Sequence, residues 1–495
     1  MLRKAQVYCL TGSTKDYVYG FAVPFGELQS PQSEALPATA FRHSTSAGMT
    51  LLTSPQPSVA IIGAGLGGLA LALFLRRTGL ATTISIFELR SRNAKDGGYL
   101  ALAPNALHQL NQLDLYESLL PQGYAYEELT FLSGRGTGTS KIGAVLNGSR
   151  GKYGFPALRI SRHIVRQTLL QAAEEDPLIR IEFKKKLIEV TECTDFNGVE
   201  EKVCLSFADK TSYTFDYVVG ADGIHSKVRQ AISNVEPAFS GQMGIGGGKL
   251  PRSLLPTDQP LPCLFMGRTN GFMMMPTVAD SSVVSAFATI EADARSRDAW
   301  AKLDEDKVEI AGLMTERHCG QESEWPQIVQ QACTTMSGAG KRDDLTVWPF
   351  FNVPDLPKWT STSSRIIIIG DSAHAMPPTG GQGAAMAFED AASLARVFGK
   401  ILDQDSGDFN TEFADELHKW QEQRKARCLK VKAFTSRSGD LRRSTPSMLQ
   451  QISKEWLMWL FFLLKGKDGG FGWIYGHKER GPEPLTSEKL DWESF

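Results

Sequence analysis

The feature that most constrains this chain is a glycine-rich turn between a short apolar strand and a helix. The apolar run at 58–62 leads at once into Gly-Ala-Gly-Leu-Gly-Gly at 63–68, and an apolar helical segment follows at 69–75. In this pattern Gly63 permits a tight turn, Gly65 lets the backbone approach a pyrophosphate, and Gly68 lets helix and strand pack closely. The helix start also offers unpaired N–H groups to phosphate. The segment therefore predicts a dinucleotide-binding site in a Rossmann-like α/β fold.

An acidic residue follows at the distance that this kind of site needs. A second strand, predicted at 82–87, delivers Glu88 twenty residues after Gly68. A carboxylate there accepts hydrogen bonds from both ribose hydroxyls and repels a 2′-phosphate. The bound nucleotide is therefore predicted to be FAD or NAD rather than NADP. A purely structural glycine turn is the alternative, but it does not account for the strand and the acid.

Two further Gly-Asp elements lie later in the chain. In the first, a buried strand ends near 220 and Asp222 follows it, where open α/β sheets place ligands. Asp222 is also a candidate helix cap, and the two roles are compatible. In the second, a strand at 365–369 precedes Asp371, which suits a polyol such as ribitol, and a glycine-rich helix start at 380–384 suits a flat ring with negative charge. His374 is expected to orient or pack rather than to catalyse.

With these three elements in order, residues 58 to about 440 resemble the FAD-dependent aromatic hydroxylases, the single-component flavoprotein monooxygenases that include salicylate hydroxylase-like enzymes. The resemblance implies that Glu88 binds the FAD ribose, that Asp222 supports FAD and NAD(P)H use, and that Asp371 binds the ribityl chain. It also matches the stretch 97–105, although Tyr99 stands where a small residue is usual, and an Arg that opens a helix. The implied cofactor-binding residues are Gly63, Gly65, Gly68, Glu88, Gly98, Tyr99, Arg162, Asp222, Asp371, Pro377, Gly380, Gly381, Gln382, Gly383 and Ala384.

The resemblance implies a reaction in which the cofactor does the difficult chemistry. NADPH or NADH reduces FAD, O2 is captured as a flavin hydroperoxide, and one oxygen atom passes to an aromatic or polyketide-like substrate, in specialised-metabolite biosynthesis or catabolism. No residue is assigned as catalytic, and no metal is expected. A flavin halogenase lacks support because its Trp-x-Trp-x-Ile-Pro stretch is missing. A flavin-dependent dehydrogenase or reductase without oxygen insertion stays open, as does a flavoprotein scaffold module that engages a partner through its N-terminal extension and the apolar run at 456–464.

The predicted fold class is α/β, with a discontinuous FAD-binding Rossmann-like domain, an inserted sheet-based substrate domain and a C-terminal helical region. We expect a flexible extension at 1–56, FAD-binding parts at 57–235 and 361–400, a substrate domain at 236–360, and helices and a tail at 401–495. The apolar stretches at 265–268 and 272–276 are candidate pocket walls, with plain core as the alternative.

Amino-acid composition restricts the classes of partner and the compartment that we expect for this chain. The 53 basic and 55 acidic residues are dispersed, which argues against nucleic acid. The seven cysteines are predicted to be small buried hydrophobes without metal or redox pairing, which favours a reducing compartment. The apolar run at 456–464 is too short to span a bilayer and is expected to pack in a core, with a partner or a membrane surface as alternatives. No signal peptide is found, so an intracellular, cytoplasmic location is expected, and the oligomeric state stays open.

Overall fold

In the computed structural model, residues 56–482 are described, except for 81, 95–96, 138–139, 195–200, 320–322 and 403–408. The predicted N-terminal extension at 1–56 lies outside the described residues but for its last position. Among the described residues there are eighteen strands, β1 to β18 in chain order: Val59–Ile62, Ile84–Glu88, Tyr99–Leu102, Tyr124–Tyr126, Glu128–Ser133, Lys141–Leu146, Ala157–Ser161, Ile179–Phe183, Leu187–Thr194, Glu201–Phe207, Ser212–Phe215, Tyr217–Gly220, Ala238–Pro251, Cys263–Met266, Gly271–Pro276, Val283–Glu291, Thr346–Asn352 and Ile366–Ile368.

Fourteen α-helices, α1 to α14, complete the regular structure of the same residues: Leu66–Arg76, Pro104–Gln112, Tyr116–Leu119, Arg150–Tyr153, Arg162–Glu175, Lys227–Gln230, Arg297–Glu305, Lys307–His318, Gln327–Ser337, Asp371–His374, Gly383–Leu402, Phe409–Asp440, Met448–Lys465 and Gly472–Tyr475. The predicted C-terminal helical region is therefore present as α12 and α13, and the short helix α14 follows it. No helix in the described ranges combines the length and the hydropathy needed to cross a bilayer.

A five-stranded parallel sheet in the order β18-β12-β1-β2-β8 forms the first layer. Its strands β1, β12 and β18 are continuous buried apolar runs, as is typical of parallel sheets that are covered on both faces. Helix α1 packs against both α5 and α11 beside this sheet. Because the three motif-bearing strands are neighbours and parallel, their carboxyl ends meet at one edge of the sheet.

A seven-stranded sheet in the order β17-β13-β16-β15-β14-β5-β6 forms the second layer. Its central strands come from the predicted substrate block, but β5 and β6 come from the segment that we assigned to the first FAD-binding part. Strand β5 joins by parallel pairing with β14, where Thr130 lies opposite Cys263. The boundary predicted at 236 therefore does not separate the two sheets along the sequence. Two small sheets, β11-β10-β9 and β3-β7-β4, complete the strands.

The prediction that the cysteines are unpaired and buried is wrong for one pair. Cys193 and Cys204 form a disulfide, and their Cα atoms are 6.1 Å apart. The two residues lie on neighbouring antiparallel strands, where Cys193 faces Lys202 and Cys204 faces Thr191, so the two thiols are diagonal neighbours. Sequence spacing does not reveal such a register. Cys263, Cys333 and Cys428 are buried as predicted, Cys319 is half-buried, and Cys9 lies outside the described residues.

The prediction that the run at 456–464 packs in a core is also wrong for most of its residues. It belongs to α13, and within it only Met458 is buried and Phe462 half-buried. The remaining apolar side chains of the run face outward, because polar residues occupy much of the helix's inward face.

Candidate functional site

The three predicted motifs meet at the carboxyl edge of the parallel sheet. In the register of β1, β12 and β18, Ile62 lies opposite Gly220 and Gly220 lies opposite Ile368. Hydrogen bonds continue past the strand ends, from Ala221 N to Ile62 O at 2.8 Å and from Ile369 N to Gly220 O at 3.0 Å. Ligands of open α/β sheets bind at this edge. The arrangement therefore joins segments that are far apart in sequence into one site.

The glycines of the first turn have the geometry that the motif predicts. Gly63 has φ +106°, and a Cβ there would lie 2.4 Å from the carbonyl oxygen of Ala221. A Cβ on Gly68 would lie 2.0 Å from the carbonyl oxygen of Gly63, so strand and helix touch there. A Cβ on Gly65 would have nothing within 4 Å, which leaves an open approach at the start of α1. Of these three glycines, only Gly65 has free space around its Cβ position, and this is where a pyrophosphate is predicted to lie.

Two side chains far away in sequence fix this turn. Glu88, which is buried at the end of β2, accepts hydrogen bonds from Ala64 N at 2.8 Å and from Arg90 N at 2.9 Å. Its Oε1 also accepts from Arg90 Nε at 3.4 Å, whereas its Oε2 keeps a second lone pair for a ribose hydroxyl. Arg166 on α5 donates from Nε to the carbonyl oxygen of Ala64 at 2.9 Å. Its contribution was missed from the sequence because nothing in the local motif points to it.

Asp222 caps the helix that follows it. Its Oδ2 accepts hydrogen bonds from Lys227 N at 2.7 Å and Val228 N at 3.2 Å, and its Oδ1 accepts from Ser226 Oγ. Ser372 Oγ donates to the same Oδ1 at 3.1 Å, which ties the second motif to the third. The capping role is therefore present, and Ser372 is a link that the sequence did not suggest. A role for Asp222 in holding FAD stays a prediction.

A large cavity of about 1490 Å³ opens beside these strand ends. Sites for small ligands usually measure roughly 300–1,000 Å³, so this one has room for a cofactor ring and a second molecule. Of the predicted cofactor-binding residues, the cavity is lined by Gly65, Gly98, Tyr99, Arg162, Asp371, Gly380, Gly381, Gln382, Gly383 and Ala384. The others, Gly63, Gly68, Glu88, Asp222 and Pro377, are not among its lining residues.

Two charged side chains face this cavity and have no partner among the described residues. Asp371 begins α10 and Arg162 begins α5, and both are exposed. Neither carboxylate nor guanidinium makes a hydrogen bond or an ion pair within the described part of the chain. The backbone N–H of Arg162 donates to Gly98 O at 3.2 Å, which joins the start of α5 to the 97–105 stretch. Of the predicted cofactor-binding residues, these two therefore offer a free anion and a free cation to a polar ligand.

The glycine-rich loop at 380–384 is held from behind. A Cβ on Gly380 would lie 2.3 Å from Thr435 Oγ1, so α12 packs directly on the loop. The buried Gln382 accepts a hydrogen bond from Asn105 Nδ2 at 3.0 Å, and Asn105 also donates to Glu389 at 2.9 Å. Glu389 in turn pairs with Arg424 and Arg427 of α12. The loop thus has a fixed shape on its cavity side.

His374 lies within this supporting network and not in the cavity. It is buried, and its Nε2 lies 2.6 Å from Asp390 Oδ2. Asp390 also accepts from Gly370 N and from Arg424 Nε, each at 2.8 Å. Burial disfavours the charged imidazole, but Cys428 and Asp390 outweigh burial and raise the pKa of His374 well above its ordinary value. This placement agrees with an orienting or packing role.

The opposite wall of the cavity comes from the seven-stranded sheet. Met266, Met273 and Met275 line it, whereas the alternate residues Phe272 and Met274 belong to a separate apolar core that also contains residues of α7, α8 and α9. Three of the nine residues in the two predicted apolar stretches therefore line the cavity. Sequence reasoning missed the aromatic residues of this region, since they come from distant strands. Phe131, Phe287, Trp348 and Phe350 belong to the same sheet, and Tyr126 belongs to β4.

One half-buried cation lies among these apolar residues. Arg159 on β7 lines the cavity and donates to the carbonyl oxygen of Tyr99 at 3.3 Å, with its guanidinium 5.2 Å from the Tyr99 ring centre. Burial lowers the pKa of Arg159 to about 10, which leaves it charged at neutral pH. No acidic side chain among the described residues pairs with it, and its Nε has no hydrogen-bond partner. The same burial raises the pKa of Tyr126 to about 12, so that phenol stays protonated.

These features fit FAD. A helix start with open backbone faces the predicted pyrophosphate, a free carboxylate stands where a polyol is expected, and a shaped glycine loop borders a cavity that is large enough for a flavin ring. FAD supplies redox chemistry that accepts electrons from a nicotinamide and activates O2.

Comparison with known proteins gives the same answer. A family model for the FAD binding domain matches residues 56–416. The chain is 28% identical over 363 residues to 3-amino-4-hydroxybenzoate 2-monooxygenase PtnB3 of Streptomyces platensis, covering 72% of this chain and 83% of that protein. It is 27% identical over 375 residues to 6-methylsalicylate 1-monooxygenase atA of Aspergillus terreus, covering 70% and 76%.

A solved structure shows a similar fold. A salicylate hydroxylase in complex with substrate superposes with a TM-score of 0.66 at 21% identity, over 86% of this chain and 96% of that one. The family match spans more than half of the chain and agrees with the cavity and its glycine turns. The protein therefore belongs to the FAD binding domain family of FAD-dependent aromatic hydroxylases, and it is an FAD-dependent monooxygenase.

Proposed function

We propose that the protein uses NAD(P)H and O2 to hydroxylate a small aromatic molecule that carries an acidic group. One observation supports this most strongly: a single cavity has predicted cofactor contacts on one side and a wall of methionine and aromatic side chains on the other. An aromatic ring in that half would lie between apolar side chains. A polar ligand without a ring would leave these surfaces without a matching partner.

Within this proposal the cofactor contacts follow from the geometry of the chain. Gly65 and the start of α1 would hold the pyrophosphate, and Glu88 would accept from the adenosine ribose. Asp371 would accept hydrogen bonds from the ribityl hydroxyls, and the loop at 380–384 would border the ring. The supporting network behind that loop would keep its position unchanged during turnover.

Arg159 is the observation that indicates an acidic group on the substrate. A half-buried cation without an anionic partner is unfavourable, and an anionic ligand beside it would remove that penalty. A carboxylate or an acidic phenol bound there would place the aromatic ring against Met273 and Met275 of the same wall. The two relatives named above act, by their names, on a hydroxybenzoate and a salicylate, which carry such groups. Because the reaction requires NAD(P)H, we expect the protein to act inside the cell.

The test is O2 uptake by the FAD-loaded protein with NADPH or NADH and paired aromatic compounds. Each pair contains an acidic compound and its neutral amide or ether. We expect acidic phenols and aryl carboxylates to accelerate O2 uptake, and 18O2 to place one labelled atom in the product. Arg159→Met should raise KM for those compounds by about tenfold to a hundredfold with FAD retained, since a charged hydrogen bond contributes about 1.5–3 kcal/mol. NAD(P)H oxidation without labelled product would instead indicate a reductase.

Arg180→Met is the matched control, because Arg180 is exposed on β8 and does not line the cavity. It should leave KM unchanged. An Arg159→Met enzyme that keeps its KM for acidic compounds would remove the acidic-group part of the proposal while leaving hydroxylation standing.

A further inference from the structure

Helix α13 reverses the usual arrangement of a surface helix. Its inward face carries Gln451 and Glu455, both buried. Glu455 forms an ion pair with Arg135 at 2.6 Å and accepts a hydrogen bond from Gln451 at 2.9 Å. Only Met458 and Phe462 continue this face with apolar side chains. These buried polar side chains thus attach α13 to the rest of the protein.

The outward face of α13 is almost entirely apolar, and we call it the apolar face. Its members, exposed by 39% to 76%, are Leu449, Trp456, Leu457, Trp459, Leu460, Phe461, Leu463 and Leu464. Within the stretch from Leu449 to Leu464, the exposed polar residues are Gln450 and Ser453. A contiguous exposed patch of this kind marks a binding surface rather than ordinary surface composition.

The apolar face reaches the mouth of the cavity. Leu457 and Phe461 line the cavity although both are exposed. From Phe461 a chain of aromatic contacts runs through Phe471 to Phe434 of α12 and on to Trp473, at ring distances of 6.2, 5.4 and 6.5 Å. The cavity therefore opens within an apolar, aromatic rim.

Basic residues accompany this rim. Lys430 and Arg437 also line the cavity, and they share a face of α12 with Phe434, four residues after the first and three before the second. Neither makes an ion pair within the described ranges, and the same holds for Lys465 at the end of α13. The rim thus combines tryptophan, leucine and phenylalanine with unpaired positive charge, which is the composition of helices that lie in the interface of an anionic bilayer.

We propose that the apolar face of α13 binds the surface of an anionic lipid bilayer, so that the cavity opens towards the lipid and takes a lipophilic aromatic substrate from it. A protein partner or a second copy seated on this face would cover Leu457 and Phe461 and so close the mouth, whereas a lipid phase leaves a path for an apolar molecule. The unpaired lysine and arginine side chains would contact the lipid phosphates. The delivery of substrate depends on the proposed function, but bilayer binding does not.

The test measures binding of the full-length, FAD-loaded chain to vesicles by flotation, with flavin absorbance as the readout. Vesicles of phosphatidylcholine alone are compared with vesicles that also contain phosphatidylserine. We expect binding to the anionic vesicles and much weaker binding to the neutral ones. The triple variant Trp456→Ser, Leu460→Ser, Leu464→Ser should reduce binding about tenfold or more, because these exposed side chains supply much of the apolar area that enters the bilayer.

A matched control replaces three exposed apolar residues elsewhere, Ile188→Ser, Val278→Ser and Val308→Ser, and should bind vesicles like the parent protein. The α13 triple variant does not alter cavity-lining residues, so its turnover of a water-soluble substrate should be unchanged. If the parent protein does not turn over that substrate, the result contradicts the proposed function but not the bilayer binding.

Two outcomes would overturn the bilayer proposal. One is that the parent protein does not float with anionic vesicles, or that the triple variant floats equally well. The other is that the parent protein is a dimer in light scattering, that the triple variant is a monomer, and that vesicle binding is absent, which would assign the face to self-association.

Discussion

At the scale of single residues, the buried pair of His374 and Asp390 links protonation to stability. The pKa of His374 is raised well above its usual value, against the effect of burial, by Cys428 and Asp390. A raised pKa in the folded state means that the stabilisation is fully present below the unfolded value, about 6.5, and is lost as pH rises through the folded value. The carboxyl of Asp390 shifts the other way: its pKa is lowered to about 2, by His374 and Arg424 against burial, so its contribution is lost only in strong acid.

We therefore predict that the free energy of unfolding of the FAD-saturated protein falls as pH rises above about 6.5. His374→Gln should flatten this slope while leaving the cavity residues in place. Asp390→Asn should destabilise the fold by about 3–5 kcal/mol, because it leaves Arg424 and His374 without their shared anion. Urea unfolding at several pH values measures both effects. An unchanged slope in His374→Gln would mean that this imidazole is neutral in the folded state.

Sequence reasoning succeeded at the residue scale where the signal is local. Gly63, Gly65 and Gly68 sit within one turn, so their spacing alone predicts the geometry now seen. It failed where the partners are far apart. The hydrogen bond from Asn105 to Gln382 joins residues 277 positions apart, and no spacing rule predicts it. The exposed position of Trp456 was also missed, since apolar residues more often pack inside and the sequence does not say which helix face is turned outward.

At the scale of elements, the contact of α13 with β6 shapes one wall of the cavity. A Cβ on Gly143 of β6 would lie 2.0 Å from the Phe462 ring, so α13 must move away if Gly143 becomes alanine. We predict that Gly143→Ala keeps FAD but loosens the cavity and lets water reach the flavin. The result should be a several-fold larger share of NAD(P)H oxidation that yields hydrogen peroxide instead of product.

Gly151→Ala is the control for this change, because nothing lies within 4 Å of its Cβ position. It should leave the peroxide share unchanged. Equal peroxide release by the two variants would show that the position of α13 does not protect the reaction.

The element scale also shows why the domain boundaries were hard to predict. Each strand of the seven-stranded sheet has a readable apolar pattern, but the pairing of β5 with β14 bridges more than 130 residues. Pairing between distant strands is decided by the packing of whole layers, which a strand's own sequence does not encode. The α/β class followed from the alternation of elements, whereas the membership of β5 and β6 did not.

At the scale of the whole molecule, three parallel neighbours β1, β12 and β18 carry motifs that are separated by about 150 residues each in the sequence. The fold turns these separate signals into one site by ending all three strands at one edge. This is why the order of the motifs was enough to suggest the family, while the substrate wall from the second sheet needed the structure.

The most direct test of the central claim is an FAD titration of the parent protein and of Gly65→Ala, followed by flavin fluorescence. Gly65 has open space around its Cβ position, so alanine there should leave the folded chain unchanged while blocking a pyrophosphate. We predict a yellow parent protein and a folded variant whose FAD affinity falls at least about tenfold, because the added methyl group occupies the approach of the phosphates. A colourless parent protein that cannot be reconstituted with FAD, or a variant that binds FAD as tightly as the parent, would contradict this account.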